Sequence, residues 1–564
     1  MKMRSYIFLA ALFLPVAVMG QTTQDETIKR SVTLYNPYKP TLQAATKRAI
    51  LPAVDDTSKV NVDFTYTFTP GTFTPEYKVA PIKSASLSPE PLPGLKKGYV
   101  SLGLGTWLSP FLEISVSNGR SKKGAVGIYT RSYASAGRIT LKDANRVFAG
   151  FMDNQAIIYG KKYFRKGRFD TDLDIRQMSR YAYGYDPDIT GWDPSRKDIR
   201  SLYFDVTGTA RYFTMKSDSS ELNWDATVKY NIFSRVGDGL QHNPGLSFKG
   251  GKNMFGFYGG ADIDYDLYLF SDQIDSKARN LLSLSPYITK GNEDWRFRFG
   301  FTAAADIREN TEPLSGGDLK AYMYFYPDVA FTFRVIPSFL RFRAAIDGSL
   351  GNNQAKNSAY VNPWLMPGDT LFTLRNTDNK LRLTAGVSGN INVSATYAVD
   401  VSYTLSHDML LFMNDTVGVG NYFLPVYDDG DLFKVHGETV YPFNRQITVS
   451  LLGNYYRYSM SGQEYAWYKP AWDATLKGDY NLRNKIIASA SLTVLGKRHA
   501  MVRAPESSVE LPVHPNLNMG IEYRYSPVLS FWVKANNISY KRYYEWNYYP
   551  SQNFMILGGF TYSL

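Results

Sequence analysis

Residues 295–307 read WRFRFGFTAAADI. Trp295, Phe297, Phe299, Phe301, Ala303 and Ile307 alternate with Arg296, Arg298, Gly300, Thr302 and Asp306. A period of two is the signature of a β-strand with one apolar and one polar face. The rhythm recurs along the chain. Leu202, Phe204 and Val206 alternate with Tyr203, Asp205 and Thr207, and Ile263, Tyr265 and Leu267 with Asp262, Asp264 and Asp266. Phe342, Ala344 and Ile346 alternate with Arg341, Arg343 and Asp347, and Leu381, Leu383 and Ala385 with Arg382 and Thr384. So many strands cannot share one sandwich core. In lipid every backbone N–H and C=O must be paired within the protein, so the sheet must close. The sequence therefore predicts an all-β fold: a large, closed, antiparallel transmembrane β-barrel with apolar residues toward lipid and charges toward water.

Composition agrees. The 564 residues include 43 Tyr, 33 Phe, 9 Trp and 44 Gly but no Cys, and mean hydropathy is −0.29. Absent Cys excludes disulfide scaffolds and thiol chemistry. After the first twenty positions no apolar run reaches the ~18 residues of a membrane-spanning helix. The net charge of +12 is spread along the chain rather than clustered. A nucleic-acid face is therefore not expected, and anionic lipid or plain solvated charge accounts for the balance.

Residues 1–20 read as a signal peptide. Lys2 and Arg4 precede an apolar core from Tyr6 to Val18, and small Val18 and Gly20 place cleavage before Gln21. An anchoring helix is the other reading, but the apolar stretch is short for one. Residues 21–59 read as a polar periplasmic arm and 60–564 as the barrel, starting at the alternation Val60, Val62, Phe64, Tyr66, Phe68. Pro-rich residues 70–97 read as a short lumenal or loop insert. Counting back from the C-terminus gives roughly twelve strands in residues 294–564 and eight to ten before, about 20–22 in all.

Short turns recur at Leu108–Pro110, Lys290–Asp294, Ile336–Ser338, Ser394–Ala395, Pro442–Asn444, Asn481–Asn484 and Ser526–Pro527, flanked by aromatics that fit one interfacial girdle. Longer polar stretches at Asn352–Lys380, Asn414–Asp431 and Lys497–Asn516 predict extracellular loops opposite short periplasmic turns.

The C-terminal stretch from Leu529 to Leu564 holds Asn536, Asn537, Lys541, Tyr543, Tyr544, Glu545, Trp546, Tyr549, Pro550, Asn553, Phe554 and Gly558. It resembles the last hairpin of TonB-dependent outer-membrane receptors, in the style of Bacteroidota members. The resemblance implies an integral outer-membrane barrel, with Phe560, Tyr562 and Leu564 as the signal read by the barrel-assembly machinery. The usual last residue there is Phe, and here it is Leu564. It implies contact with outer-membrane lipid and lipopolysaccharide, and other outer-membrane proteins as partners. Those receptors carry a globular plug ahead of the barrel, and the residues between Gln21 and Val60 are too few for one. Asp25–Ile28 resembles an energy-coupling TonB box.

No catalytic or cofactor motif stands out. His242, His407, His436, His499 and His514 show no metal spacing. Neither a G-x-S-x-G elbow nor a P-loop is present. Asp428–Asp431 and Asp186–Asp188 read as calcium loops or as solvated turns. No enzyme, metal or cofactor is expected. The candidate functional residues are lumen charges: Asp262, Asp264 and Asp266 on one strand, and Arg296, Arg298, Arg341 and Arg343 on later ones. They form either a transverse field that selects polar solutes or a salt-bridge lattice that stiffens the wall. Two functions follow: passage or uptake of a polar solute by a receptor-like barrel without a full plug, or an accessory structural barrel in an outer-membrane complex.

Overall fold

The computed structural model describes residues 96–564, apart from 120, 190, 216–220, 272–277, 310–318, 416–417, 503–507 and 540–541. The signal segment, the arm with Asp25–Ile28, the alternation at 60–68 and nearly all of the insert lie outside the described residues. The barrel is one 22-stranded antiparallel sheet, each strand paired with its neighbour in sequence. Among the described residues no helix is long and apolar enough to cross a membrane.

Closure is made by Gly98–Gly105. One edge pairs with Ser109–Ser117, and the other with Met555–Ser563 in the register Tyr99↔Ser563 to Gly105↔Leu557. Both edges are occupied, so Gly98–Gly105 is the first strand of the described sheet. Ten strands precede Trp295 and twelve follow from it.

The alternation became a two-faced wall. Phe297, Phe299 and Phe301 are exposed on the outer surface, as are Ile263, Phe342, Leu383 and Val401. Their neighbours in sequence face the lumen. This outer belt is an apolar surface of the kind that only lipid covers.

Strand direction sorts the connections to two ends. Six of the seven expected short turns lie at one end. Asn side chains shape them. Asn292 Oδ1 accepts from the N–H groups of Asp294 and Trp295, at 2.8 and 3.0 Å. Asn392 and Asn444 hold their turns the same way, because a short amide mimics a backbone turn. The seventh turn, at Thr106–Leu108, joins the first two strands and lies at the opposite end, among the long loops. A short connection reads alike at either end, so sequence placed it wrongly.

Strands at the loop end also run further than expected. Thr396–Asn414 and Phe423–Pro442 have 19 and 20 residues. The expected loop at Asn414–Asp431 shrinks to residues 415–422, since Phe423–Asp431 continues the ladder. Thr377–Lys380 likewise belongs to strand Thr377–Asn390.

Candidate functional site: a charged lumen under a loop-built lid

The lumen wall is a lattice of paired charges. Arg298 meets Asp328 at 2.7 Å, Arg382 meets Asp347 at 2.7 Å, and Arg180 meets Asp153 at 2.8 Å. Arg279 meets fully buried Asp306 at 2.6 Å and donates to the Leu374 carbonyl at 2.8 Å. Burying charge in this way is tolerated only where each group keeps such partners.

The sequence candidates fall on this wall. Asp262 stands opposite Lys249 in register, and Asp264 lies between Ser247 and Ser283. Asp266 Oδ1 accepts from Asn243 Nδ2 at 3.1 Å. Arg298 is the one arginine of the four that joins the ion-pair lattice described above. Arg296 and Arg343 both face Thr332, and Arg341 stands opposite Arg334. These three are exposed near the short-turn end, where Arg334 and Arg341 border a recess of about 520 Å³. Asp262 and Arg298 lie on strands separated only by Arg279–Gly291, close enough to interact electrostatically. Phe560, Tyr562 and Leu564 lie on the outer face, 40%, 46% and 54% exposed.

The residues that sequence reading missed form a lid at the loop end. Residues 352–376, which include the helix Ala355–Val361, fold inward from strand Leu340–Gly351. Lys356 Nζ reaches Asp205 at 2.9 Å and Tyr360 donates to the same carboxylate at 3.0 Å. Tyr203 donates to the Pro363 carbonyl at 2.7 Å, and Trp364 Nε1 to that of Tyr181 at 2.8 Å. Strands some seven places apart around the barrel are thereby tied.

Other loops complete the lid. The Asp186 N–H donates to the Val419 carbonyl at 2.9 Å, linking opposite walls. Tyr183 donates to the Pro550 carbonyl at 3.1 Å, and Tyr549 to that of Asn421. The hairpin Tyr544–Trp546/Tyr549–Pro550 wedges aromatics between these loops. Trp364 stacks on Tyr549 with ring centres 4.1 Å apart, and Trp546 packs edge-on to Phe423 at 5.0 Å. The buried cluster runs from Ile139 to Tyr549 and draws on nearly every long loop. Rings packed so are worth roughly 0.5–1.5 kcal/mol per pair beyond their burial.

Burial pushes the Tyr183, Tyr468 and Tyr549 hydroxyls well above the phenol range, so they stay neutral donors. Burial also lowers Arg498, partly offset by Glu545, while its guanidinium donates to the carbonyls of Tyr544 and Glu545 at 2.7 and 2.6 Å. Asp428 accepts from the N–H groups of Gly462 and Gln463, at 2.9 and 2.7 Å, so this acidic run braces a loop. Among the described residues no cluster of three metal-ligating side chains occurs.

No protein-family model matches the chain, and no curated protein matches it in sequence. Solved structures do. The copper transporter OprC matches at 11% identity and TM-score 0.63, over 83% of this chain and 80% of that one. The FrpB iron transporter from Neisseria meningitidis matches at 10% and 0.63, over 84% and 82%. The ferric-catecholate import receptor Fiu from K12 E. coli matches at 9% and 0.60, over 84% and 82%. The fold is that of these transporter and receptor barrels. At these identities the likeness is one of architecture. In this barrel the lid, built from loops of no fixed period, was invisible in sequence. The one available signal was aromatic density in residues 543–549.

Proposed function

We propose that this chain resides in the outer membrane and passes or takes up a polar solute through its lumen, with its own loops gating the outer mouth. The observation that carries this reading is the charged lumen shut at one end by a lid tied across opposite walls. A lumen lined by charged and polar side chains is one that water and polar solutes can enter. The transporter architecture of the structural neighbours supports the same reading. The lumen arginines Arg296, Arg341 and Arg343 set the charge at the short-turn mouth, and Asp262, Asp264 and Asp266 the charge farther in. Phe560, Tyr562 and Leu564 serve assembly, read by the barrel-assembly machinery. The outer belt meets lipid and lipopolysaccharide.

A second reading is favoured by the dense aromatic packing of the lid: an accessory barrel that stays shut and serves a larger complex of outer-membrane proteins. Planar-bilayer recording of the purified barrel separates the two. Stepwise conductance that rises when the lid tether Asp205 is removed supports passage. A barrel that never conducts, with or without the tether, and co-purifies with fixed partners supports the accessory role.

A further inference from the structure

Two lysines interrupt the apolar outer wall at its short-turn end. On the strand Gly239–Met254, Leu246 and Phe248 are exposed on the outer face, and Lys252 follows in the same two-residue rhythm. On Arg279–Gly291, Leu284 and Ile288 are exposed in the same way, and Lys290 follows them. Both lysines are exposed. The strand between them, Phe257–Phe270, sets Gly259 opposite Lys252 and Phe257 opposite Met254. Lys290 leans over that middle strand, its Nζ 4.3 Å from the centre of the Phe257 ring. Gly259 has no side chain, so the wall dips between the two ammonium groups.

We propose that this dip binds the headgroup phosphate of an anionic phospholipid from the periplasmic leaflet. The inference goes beyond the solute pathway and rests on the outer-membrane placement, with short turns toward the periplasm. Charge decides the ligand. Lys249, three residues before Lys252, faces the lumen and stands opposite Asp262. On the outer face Lys252 stands opposite Gly259, and Lys290 opposite Phe297, so neither has a carboxylate beside it in register. The acids nearest in sequence, Glu293 and Asp294, are turned to Arg334, at 3.7 and 2.6 Å. Two cations without acids at the edge of the belt match a phosphate. Their long stems reach it while the methylenes stay on apolar surface.

Depth decides the source. Phe248, Ile263 and Leu284 continue the apolar belt above the two lysines. Phe255, on the turn below them, is 99% exposed and stands where aromatic rings meet the membrane interface. The ammonium groups therefore lie at the level of the phosphates in the leaflet nearest the short turns. Lipopolysaccharide fills the other leaflet, at the loop end.

The test uses the purified full chain in nanodiscs of phosphatidylethanolamine and phosphatidylglycerol. Native mass spectrometry counts the lipids kept on release. Phosphatidylglycerol is expected to be kept about tenfold above its share of the bilayer, the scale of two lysines at an anionic headgroup. The preference is expected to vanish in K252Q/K290Q and to hold in K252R/K290R and in K249Q. Heat-modifiability on gels shows that each variant folds. Should the double variant fail to assemble, K290Q alone is read, with a drop of roughly threefold expected. The proposal is overturned if phosphatidylglycerol is not preferred, if the glutamine variants keep the preference, or if K249Q loses it as far. Displacement of the lipid by millimolar inorganic phosphate also overturns it, since the dip then takes free phosphate. Orientation is measured separately. The chain has no Cys, so Phe255→Cys supplies a single thiol, read with a bulky impermeant maleimide on intact cells. Labelling there puts the lysines in the other leaflet and overturns the placement together with the site. A protected thiol with no lipid preference overturns only the site and leaves the solute pathway standing.

Discussion

The indole Nε1 of Trp532 donates to the Ser101 hydroxyl at 3.0 Å, and the bond spans the closing strand that separates their two strands. Thr561 on that closing strand donates to the same hydroxyl at 2.9 Å. The seam of the barrel is therefore locked from inside. The ring fits because Gly103 and Gly559 lie under it: a Cβ at either would stand 2.4 Å from the indole.

Gly559→Val is accordingly expected to obstruct closure. The clash is with backbone and a pinned ring, and overpacking costs ~1–3 kcal/mol even where neighbours can shift. Gly437→Val is the control, since a Cβ there meets nothing within 4 Å. Heat-modifiability and outer-membrane levels are expected to fall for the first and hold for the second.

Removing Phe560–Leu564 is expected to abolish assembly altogether. The Leu564 carbonyl accepts from Lys97 N–H at 3.0 Å, and Phe560 pairs with Leu102 on one side and Phe531 on the other. Without these residues two strand edges stand unpaired in lipid. Normal membrane levels of the truncated chain would contradict this.

Phe299→Arg is expected to cost ~2–4 kcal/mol, the range for a cation at the bilayer midplane. Phe299 is 53% exposed on the outer face. Thr302→Arg is expected to be tolerated, since Thr302 faces the lumen and shares a 2.7 Å bond with Ser285. Reversible denaturation in lipid, followed for both variants, checks the pair. Equal losses would mean that the faces are misassigned.

These contrasts explain what could be read in advance. Phe299 and Thr302 announced their faces because lipid and water impose opposite chemistry on alternate residues. Beyond the bilayer that contrast ends. Asp428 continues the ladder opposite Met409, yet its acidic neighbours read as a loop, because the strand there has left lipid and packs under the lid. Tyr183 and Pro550 are 367 positions apart and meet only once the barrel has closed. No local pattern encodes such a contact.

Asp205→Ala is expected to loosen the lid. Asp205 is 2% exposed and receives Lys356, Tyr360 and Asn231. Removing it leaves Lys356 without that counter-charge under the lid, at a cost of several kcal/mol if the loop stays put. The loop is expected to swing out instead, with greater proteolysis within residues 352–376 and larger conductance steps. Unchanged conductance and unchanged cleavage would mean that the aromatic packing alone holds the lid.

The lid closes one end, and a separate test concerns the residues ahead of Gly98. If they do not form a plug, TonB has no folded domain to pull, and deleting Thr22–Ile28 is expected to leave uptake unchanged. A Pro-rich run from Pro70 precedes the first described strand. Deleting Pro70–Leu95 spares Lys97, whose N–H is bound to Leu564. In the parent lid that deletion is expected to change conductance little, because the outer mouth stays shut. Combined with Asp205→Ala it is expected to raise conductance beyond either change alone, since two barriers in series then fall together. Purely additive conductance would mean that the two ends do not gate one path. Loss of uptake on deleting Thr22–Ile28, with dependence on the proton-motive force, would instead mean that uptake is energised through that segment.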